Sequence, residues 1–498
     1  MTAGTRSGSP LARGLDRMLT LDRDARAIEF EDAWWSWGRL AGIADAVAEA
    51  VPEPGAPVGV ILRNTPWHVG VLLGVLLADG CVVTINPGLG VERVRSEIAG
   101  LELAGLAGTA DDMATFGPDT GPGLRVVPDG TGEGAQVTRA ESAPRVPAAP
   151  GVAVRMLTSG TTGPPKRVDL GADMLARTME GAKHYESNRS REPVLRRGVA
   201  IVNAPLVHLG GLFRVVQCVL DGRSFVLLPR FEVERWAAAV RRHHPKTASL
   251  VPAALRMVLD SDLTRDDLSS LLSVVSGTAP LDPADAEAFT ERFGVPVLTS
   301  YAATEFGGGV AGWNLADHRE FAESKRGSVG RAHAGCGLRV VAPEGRELPA
   351  GEAGLLEVRP AQFGEDAPWI RTTDLARIDA DGFLWIVGRA DQTIIRGGFK
   401  VQPDQVRSAL ERHPAVRAAV VVGVPDARLG AVPVAVVETR PGRTLGREEL
   451  LAHAREHLAR YEVPVDVRFA GELPRTASGK VDLTAARELL GPLGEESG

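Results

Sequence analysis

Between residues 199 and 300 the chain alternates two kinds of segment, and that alternation restricts the fold more than any other feature. Short apolar runs at 199–203, 224–228, 247–251, 271–275 and 296–300 are separated by amphipathic stretches at 206–220, 233–242, 253–260 and 283–293. Such a pattern predicts parallel strands joined by crossover helices, the layered α/β class. In sheets of this kind ligands sit beyond the carboxyl ends of the strands. Position alone therefore singles out two loops, Ser276-Gly277-Thr278-Ala279-Pro280 and Tyr301-Ala302-Ala303-Thr304-Glu305.

The flanking regions differ. Residues 327–385 carry repeated Gly and Pro turns between short alternating strands at 337–341, 354–358 and 382–386, which predicts an antiparallel β unit. After Gly388 an amphipathic helix is expected at 402–412, with Val406, Ala409 and Leu410 on one face. Strands at 416–422 and 432–438 follow, then a helix at 447–461 whose first turn holds Glu448 and Glu449. These suit a small α+β domain, with the boundary at Ala390 and Asp391 dividing the chain into residues 1–390 and 391–498. In the first 150 residues, helices are expected at 37–51 and 67–78 and strands at 58–62 and 82–85. The Gly-, Pro-, Asp- and Ala-rich stretch 117–150 is expected to be loop.

Composition bounds the function. With 498 residues the chain exceeds one ordinary core, and a formal net charge of −7 without a Lys/Arg tail argues against a nucleic-acid or anionic-membrane binder. The longest apolar stretch, 69–78, is half a membrane span and predicts a buried helix instead. Residues 1–16 hold no continuous apolar core of a secretory signal, so a cytoplasmic protein is expected. Cys81, Cys218 and Cys336 are too widely spaced for a disulfide framework or a metal cluster, and free thiols are expected.

The run Thr158-Ser159-Gly160-Thr161-Thr162-Gly163-Pro164-Pro165-Lys166 concentrates hydroxyls, glycines and one lysine just after an apolar strand-like run at 152–157. Glycines let backbone N–H groups approach an anion, and the hydroxyls and ammonium add donors, so a polyphosphate is the ligand to consider. Prolines stand where a Walker A loop would need Gly-Lys-Ser/Thr.

Six segments in order resemble the adenylate-forming superfamily of acyl-CoA synthetases, peptide-synthetase adenylation domains and beetle luciferases: TSGTTGPPK at 158–166, NAPLVHLGG at 203–211, SGTAPL at 276–281, YAATE at 301–305, TTDLARIDADGFLWIVGRADQTIIRGG at 372–398 and PRTASGK at 474–480. The likeness runs from about residue 30 to residue 485. It implies an α/β fold: a large N-terminal domain of layered sheets with flanking helices and a small β unit, plus a small mobile α+β C-terminal domain. It also implies ATP, Mg²⁺ and CoA as ligands.

By the same resemblance, Thr158, Ser159, Gly160, Thr161, Thr162, Gly163 and Lys166 would handle the β- and γ-phosphates. Gly277, Thr278 and Ala279 would flank the nucleotide, and Tyr301 would stack on adenine. Thr304 would touch the α-phosphate, and Glu305 would hold Mg²⁺. Asp374 would accept both ribose hydroxyls, assisted by Arg389. Lys480 would bridge the substrate carboxylate and the α-phosphate in the first half-reaction only; a mobile cation is what two approaching anions lack. The small domain would then turn about Asp391 and exchange Lys480 for the Gly397-Gly398 face, beside which a pantetheine thiol enters. His208 would gate the acyl-AMP, the bland alternative being a helix-capping histidine. Asp379-Ala380-Asp381-Gly382 lacks the Glu that closes an EF-hand loop, so an Asp-Gly hairpin turn is expected there.

Leu206, Val207 and His208 stand where amino-acid-activating relatives carry an aspartate, which argues against an α-amino acid. The pocket positions Leu209, Gly210, Gly277, Thr278, Ala302, Phe306, Gly307, Gly308 and Gly309 are uncharged. An apolar fatty, cyclic or aryl acid is expected, with the successive glycines leaving room for a bulky group. The leading reading is an acyl-CoA ligase acting on a small carboxylic acid and CoA. The alternatives are an acyl-AMP ligase loading an acyl carrier protein or forming an amide, and an inactive adenylate-binding regulatory protein. Arg167, Thr373 and Phe399-Lys400-Val401 depart from the family's usual residues; Arg167 is expected either to add phosphate affinity or to sit on the surface.

Overall fold

A computed structural model describes residues 8–118, 122–140, 146–158, 166–182, 193–475 and 481–490, with the side chains of Thr158 and Ala182 excepted. One seven-stranded sheet runs in the order Ala135–Arg139, Leu124–Pro128, Gly105–Ala107, Pro57–Ile61, Cys81–Ile85, Val152–Thr158 and Lys166–Gly171. Its centre is parallel, with Val58 beside Val82 and Val82 beside Val154. Pro57–Ile61 and Cys81–Ile85 are buried at every residue. Strands covered on both faces have no polar side to alternate with, hence their unbroken apolar sequence. The helix Pro66–Leu77 is likewise buried all round and starts at Thr65, whose hydroxyl accepts the His68 N–H. It is a core helix, and no helix among the described residues is long and apolar enough to cross a membrane.

A second, four-stranded sheet holds Arg196–Val202, Arg223–Leu227, Arg26–Phe30 and Ala33–Ser36. A third, five-stranded sheet holds Thr247–Ser249, Ser273–Ser276, Val297–Ala303, Gly308–Gly312 and Arg331–Ala332. The strands of the 199–300 repeat do pair in parallel, but in two sheets. Arg26–Phe30 comes from far earlier in the chain to lie beside Arg223–Leu227. The antiparallel unit expected at 327–385 is a four-stranded sheet of Gly337–Val341, Ala353–Arg359, Ile370–Ile378 and Leu384–Arg389.

The last sheet joins Phe399–Val401, Ile394–Arg396, Gly430–Thr439 and Val416–Asp426, with Asp466–Ala470 parallel to Gly430–Thr439. With the helices Pro403–Glu411 and Arg447–His457 it encloses its own apolar cluster, including Val406, Leu410, Val437, Leu450 and Leu451. The molecule is thus α/β, a large N-terminal domain of sheets followed by a smaller C-terminal domain. The helix Arg447–His457 stops short of the expected 461, because Leu458 turns extended at φ −126° and ψ 150°.

Two segments depart from the sequence reading. Within 117–150, Leu124–Pro128 and Ala135–Arg139 form an antiparallel hairpin, its turn held by Asp129 Oδ1, which accepts from the Thr131 hydroxyl at 2.7 Å. An edge hairpin covered on one face needs little apolar sequence, so composition alone suggested a loop. Pro10–Leu19 is a helix capped by Ser9, burying Leu11, Leu15, Met18 and Leu19. The cysteines are free, and burial pushes the Cys81 thiol up to about 11.

Candidate active site

The carboxyl ends of Ser273–Ser276 and Val297–Ala303 open into a cleft of about 2100 Å³. These strands are neighbours in parallel register, Ser276 beside Thr299, which sets the two sequence-selected loops side by side. Gly277 is crowded: a Cβ there would lie 2.7 Å from Ser300 Oγ and 3.3 Å from the Ser300 carbonyl oxygen, so a larger residue would force the Ser300 side chain to turn away. Thr278 adopts φ +70°, a left-handed conformation that costs a β-branched residue about 1–3 kcal/mol. The strain presents an exposed threonine to the cleft. After Ala303 a single 3₁₀ turn, Thr304–Phe306, closes on Gly307 at φ +68°. Phe306 is buried beneath the turn, leaving Thr304 half-buried and Glu305 exposed at the cleft wall.

The Tyr301 hydroxyl donates to Asp374 Oδ2. Asp374 is fixed by its own backbone, whose N–H donates to Thr372 Oγ1 at 3.0 Å, and it lies directly across the strand pair from Arg389. Burial raises the Asp374 carboxyl above its ordinary range, opposed by the Tyr301 hydrogen bond and Arg389. Burial and the neighbouring Asp374 also push the Tyr301 phenol up, so Tyr301 keeps its proton and remains the donor. Arg389 in turn makes a two-bond pair with Asp391, Nε to Oδ1 at 2.9 Å and Nη2 to Oδ2 at 2.7 Å.

His208 lines the same cleft from the start of the helix Leu209–Leu220. It occupies the N-cap position but makes no side-chain cap hydrogen bond, which removes the capping explanation. The loop before it hangs on Asn64, a residue the sequence reading missed. Asn64 Oδ1 accepts from Leu206 N–H at 2.8 Å, while Nδ2 donates to the Ala204 and Leu228 carbonyls, each at 3.0 Å. Only the fold brings Asn64 to that loop.

Of the glycines after Phe306, Gly308 and Gly309 line the cleft and Gly307 does not, and each has a close neighbour on its Cβ side. A Cβ on Gly307 would meet Met174 Sδ at 2.6 Å, one on Gly308 would meet Thr178 Cγ2 at 3.0 Å, and one on Gly309 would meet His333 Nε2 at 3.3 Å. These glycines let the strand lie against its neighbours. Gly210, by contrast, has nothing within 4 Å of a Cβ and lines the cleft.

Lys166 pairs with Thr158 across two antiparallel strands, so the run 158–166 does start at a strand end. Ser159, Gly160, Thr161, Thr162 and Gly163 lie outside the described residues, as does Lys480. Arg167 is not a surface residue; it turns inward, pairing with Glu97 and donating to the Thr84 carbonyl at 3.2 Å, partners that already take up its charge. Asp379 and Asp381 form the expected turn, and Lys325 Nζ supplies their cation, at 2.8 and 2.5 Å.

The small domain supplies the remaining wall. Arg475 and Val481, which bracket Lys480, line the cleft and pair with each other. Gly398 does not line it; with Gly397 it forms the exposed two-residue turn between Ile394–Arg396 and Phe399–Val401, at φ +56° and +90°. The domains meet at Arg256, bonded to Asp285 Oδ2 at 2.5 Å and to Glu411 Oε2 at 2.8 Å; Arg407 shares Glu411 at 2.8 Å. Burial alone would raise the Glu411 carboxyl, yet Arg407 and Arg256 hold it below the usual range.

A model of the AMP-binding enzyme family matches residues 16–364, and one of the AMP-binding enzyme C-terminal domain matches 405–480. The chain belongs to the AMP-binding enzyme family. It is 29% identical to indoleacetate–CoA ligase of Aromatoleum aromaticum, over 96% of this chain and 98% of that protein. It is 31% identical to feruloyl-CoA synthase of an Amycolatopsis species, over 89% of this chain and 90% of that protein. The crystal structure of ATP-bound MatB from Rhodopseudomonas palustris is similar at a TM-score of 0.80 and 25% identity, covering 96% of this chain and 98% of that one.

Proposed function

We propose that this protein is an ATP-dependent carboxylate:CoA ligase. It forms an acyl-AMP from an apolar, most simply an aryl, carboxylic acid and then transfers the acyl group to the CoA thiol. The observation that carries the reading is the half-buried Asp374 carboxylate, oriented by Tyr301 and faced by Arg389, at the wall of a cleft that also holds Thr304, Glu305 and His208. A carboxylate held this way accepts two vicinal hydroxyls, as a ribose offers. Val207, Gly210, Phe213 and Ala302 line the acyl side, in keeping with the aryl acids named for the two relatives.

In the first step the acid's carboxylate oxygen attacks the α-phosphorus of ATP and pyrophosphate leaves. No general base is needed, because the nucleophile is already an anion. Thr304 is assigned the donor to the α-phosphate, and Lys480 is assigned the charge of the crowded transition state. One exposed carboxylate, Glu305, together with phosphate oxygens is the hard-oxygen donor set Mg²⁺ takes, and bound Mg²⁺ would neutralise polyphosphate charge. In the second step the CoA thiol attacks the acyl carbonyl and AMP leaves. Residues 391–498 are assigned the role of turning about Asp391 between the steps. Support comes from Gly398 standing outside the cleft while the residues flanking Lys480 line it.

A panel of carboxylic acids assayed for pyrophosphate release, with and without CoA, tests the proposal. Acid-dependent pyrophosphate together with a thioester is expected, with aryl acids preferred. No acid-dependent pyrophosphate from folded protein would sink the ligase reading; pyrophosphate without thioester would shift it to carrier-protein loading or amide formation.

A further inference from the structure

The helix Arg447–His457 presents His453, Glu456 and His457 at i, i+3 and i+4, positions that share one face. A ligand atom from each residue lies within 4.8 Å of the other two. The two imidazoles stand 4.3 Å apart at an interplanar angle of 36°. Each is also committed at one nitrogen. His453 Nε2 reaches the Ala409 carbonyl at 3.1 Å, and His457 Nδ1 reaches the His453 carbonyl at 2.8 Å. A carbonyl can only accept, so the ring N–H sits at those nitrogens. The lone pairs fall on His453 Nδ1 and His457 Nε2. Anchoring a ring by its second N–H is how proteins prepare a histidine to ligate a metal.

A third histidine does not compete for the position. The His413 ring stands edge-on to His453 at 5.1 Å, its Nδ1 accepting the Ala415 N–H at 3.2 Å and its Nε2 directed at Glu449, 3.7 Å away. Among the described residues Glu456 enters no ion pair, so no salt bridge accounts for its place beside the two rings.

We propose that this face of the small domain binds one divalent transition metal of the zinc class, through His453 Nδ1, His457 Nε2 and a Glu456 oxygen, with water completing the shell. Zinc–ligand bonds of about 2.1 Å in tetrahedral geometry space the ligands ~3.4 Å apart, so the site must close by at most about 1.4 Å. The exposed side chains of Glu456 and His457 can turn to do this. Imidazole pairs favour zinc, copper and nickel over magnesium, so the site is separate in chemistry as well as place from Glu305. His457 borders the large cleft, and the Ala409 carbonyl that anchors His453 belongs to the helix Pro403–Glu411, which carries Arg407 and Glu411. Bound metal would therefore stiffen the wall that meets Arg256.

Equilibrium dialysis of the full chain against Zn²⁺ with excess Mg²⁺ tests the site without using activity. One zinc per chain is expected at micromolar free metal, together with a rise in the thermal unfolding midpoint. His457→Gln, at an exposed position, should weaken uptake at least about tenfold, the scale on which metal sites respond to lost partners. His453→Ala should do the same, and His318→Ala should leave uptake unchanged. Absence of zinc uptake, or uptake that survives both His457→Gln and His453→Ala, would overturn the proposal.

Discussion

The two walls of the cleft are built on different principles. The large-domain wall is set by backbone register: Asp374 is placed by its pairing with Arg389, Tyr301 by strand Val297–Ala303, and Gly277 by its close approach to Ser300 on the neighbouring strand. The small-domain wall is held by charge, with Arg256, Asp285, Arg407 and Glu411 meeting in one half-buried cluster and Arg440 pairing with Asp260 at 2.8 Å on its margin. Register cannot change without unpicking a sheet. Ion pairs can separate and re-form once water reaches them, although leaving a buried partner alone is expensive. A fixed wall suits the nucleotide, and a detachable one suits a domain proposed to turn.

This contrast can be broken experimentally. The largest effect is expected at Asp374: Asp374→Ala removes the proposed ribose acceptor and leaves the Tyr301 hydroxyl without its partner. Two charge-assisted hydrogen bonds at about 1.5–3 kcal/mol each imply a fall of ~10² or more in kcat/KM for ATP. The unfolding midpoint should move little, because the sheet register stays intact. A change confined to stability would remove Asp374 from the nucleotide site. Next comes Arg256→Ala, which strips Glu411 of one of its two arginines. A loss of roughly 2 kcal/mol in unfolding free energy is expected, less than for a fully orphaned charge because Arg407 remains. Catalysis from supplied acyl-AMP should be spared or faster; slowing of that step would contradict a detachable wall.

The smallest effect concerns acid. Glu411 titrates below its ordinary 4.5 when folded, so its contribution is complete above about pH 4.5 and disappears as pH falls through the lower, folded value. Asp285 is shifted the other way by burial, so protonating it relieves the fold and offsets part of that loss. A pH series of unfolding free energy should show an acid-side decline that Glu411→Gln makes shallower, the other lowered carboxylates such as Asp112 and Asp379 keeping the rest.

Much of this was legible in the sequence where local pattern and tertiary role coincide. The all-apolar run of Pro66–Leu77, the strands at Pro57–Ile61 and Cys81–Ile85, and the loops at 276–280 and 301–305 could be placed because burial and strand ends leave a periodic trace. What escaped has no local trace. Asn64 matters only because a loop from beyond residue 200 folds over it. Arg256 and Glu411 are ordinary helix residues until two domains meet. The glycines after Phe306 suggested space, and Gly308 and Gly309 do line the cleft, but the neighbours Met174, Thr178 and His333 that lie on their Cβ sides come from distant segments and left no local trace.

The central claim is that one cleft serves two half-reactions with different faces of the small domain, and Lys480→Ala tests it most directly. With an acid found in the substrate panel, acid-dependent pyrophosphate release should fall by about 10² or more, the cost of one transition-state cation. Thioester formation from supplied acyl-AMP and CoA should persist at the rate of the unaltered protein. Equal loss in both half-reactions would contradict the account.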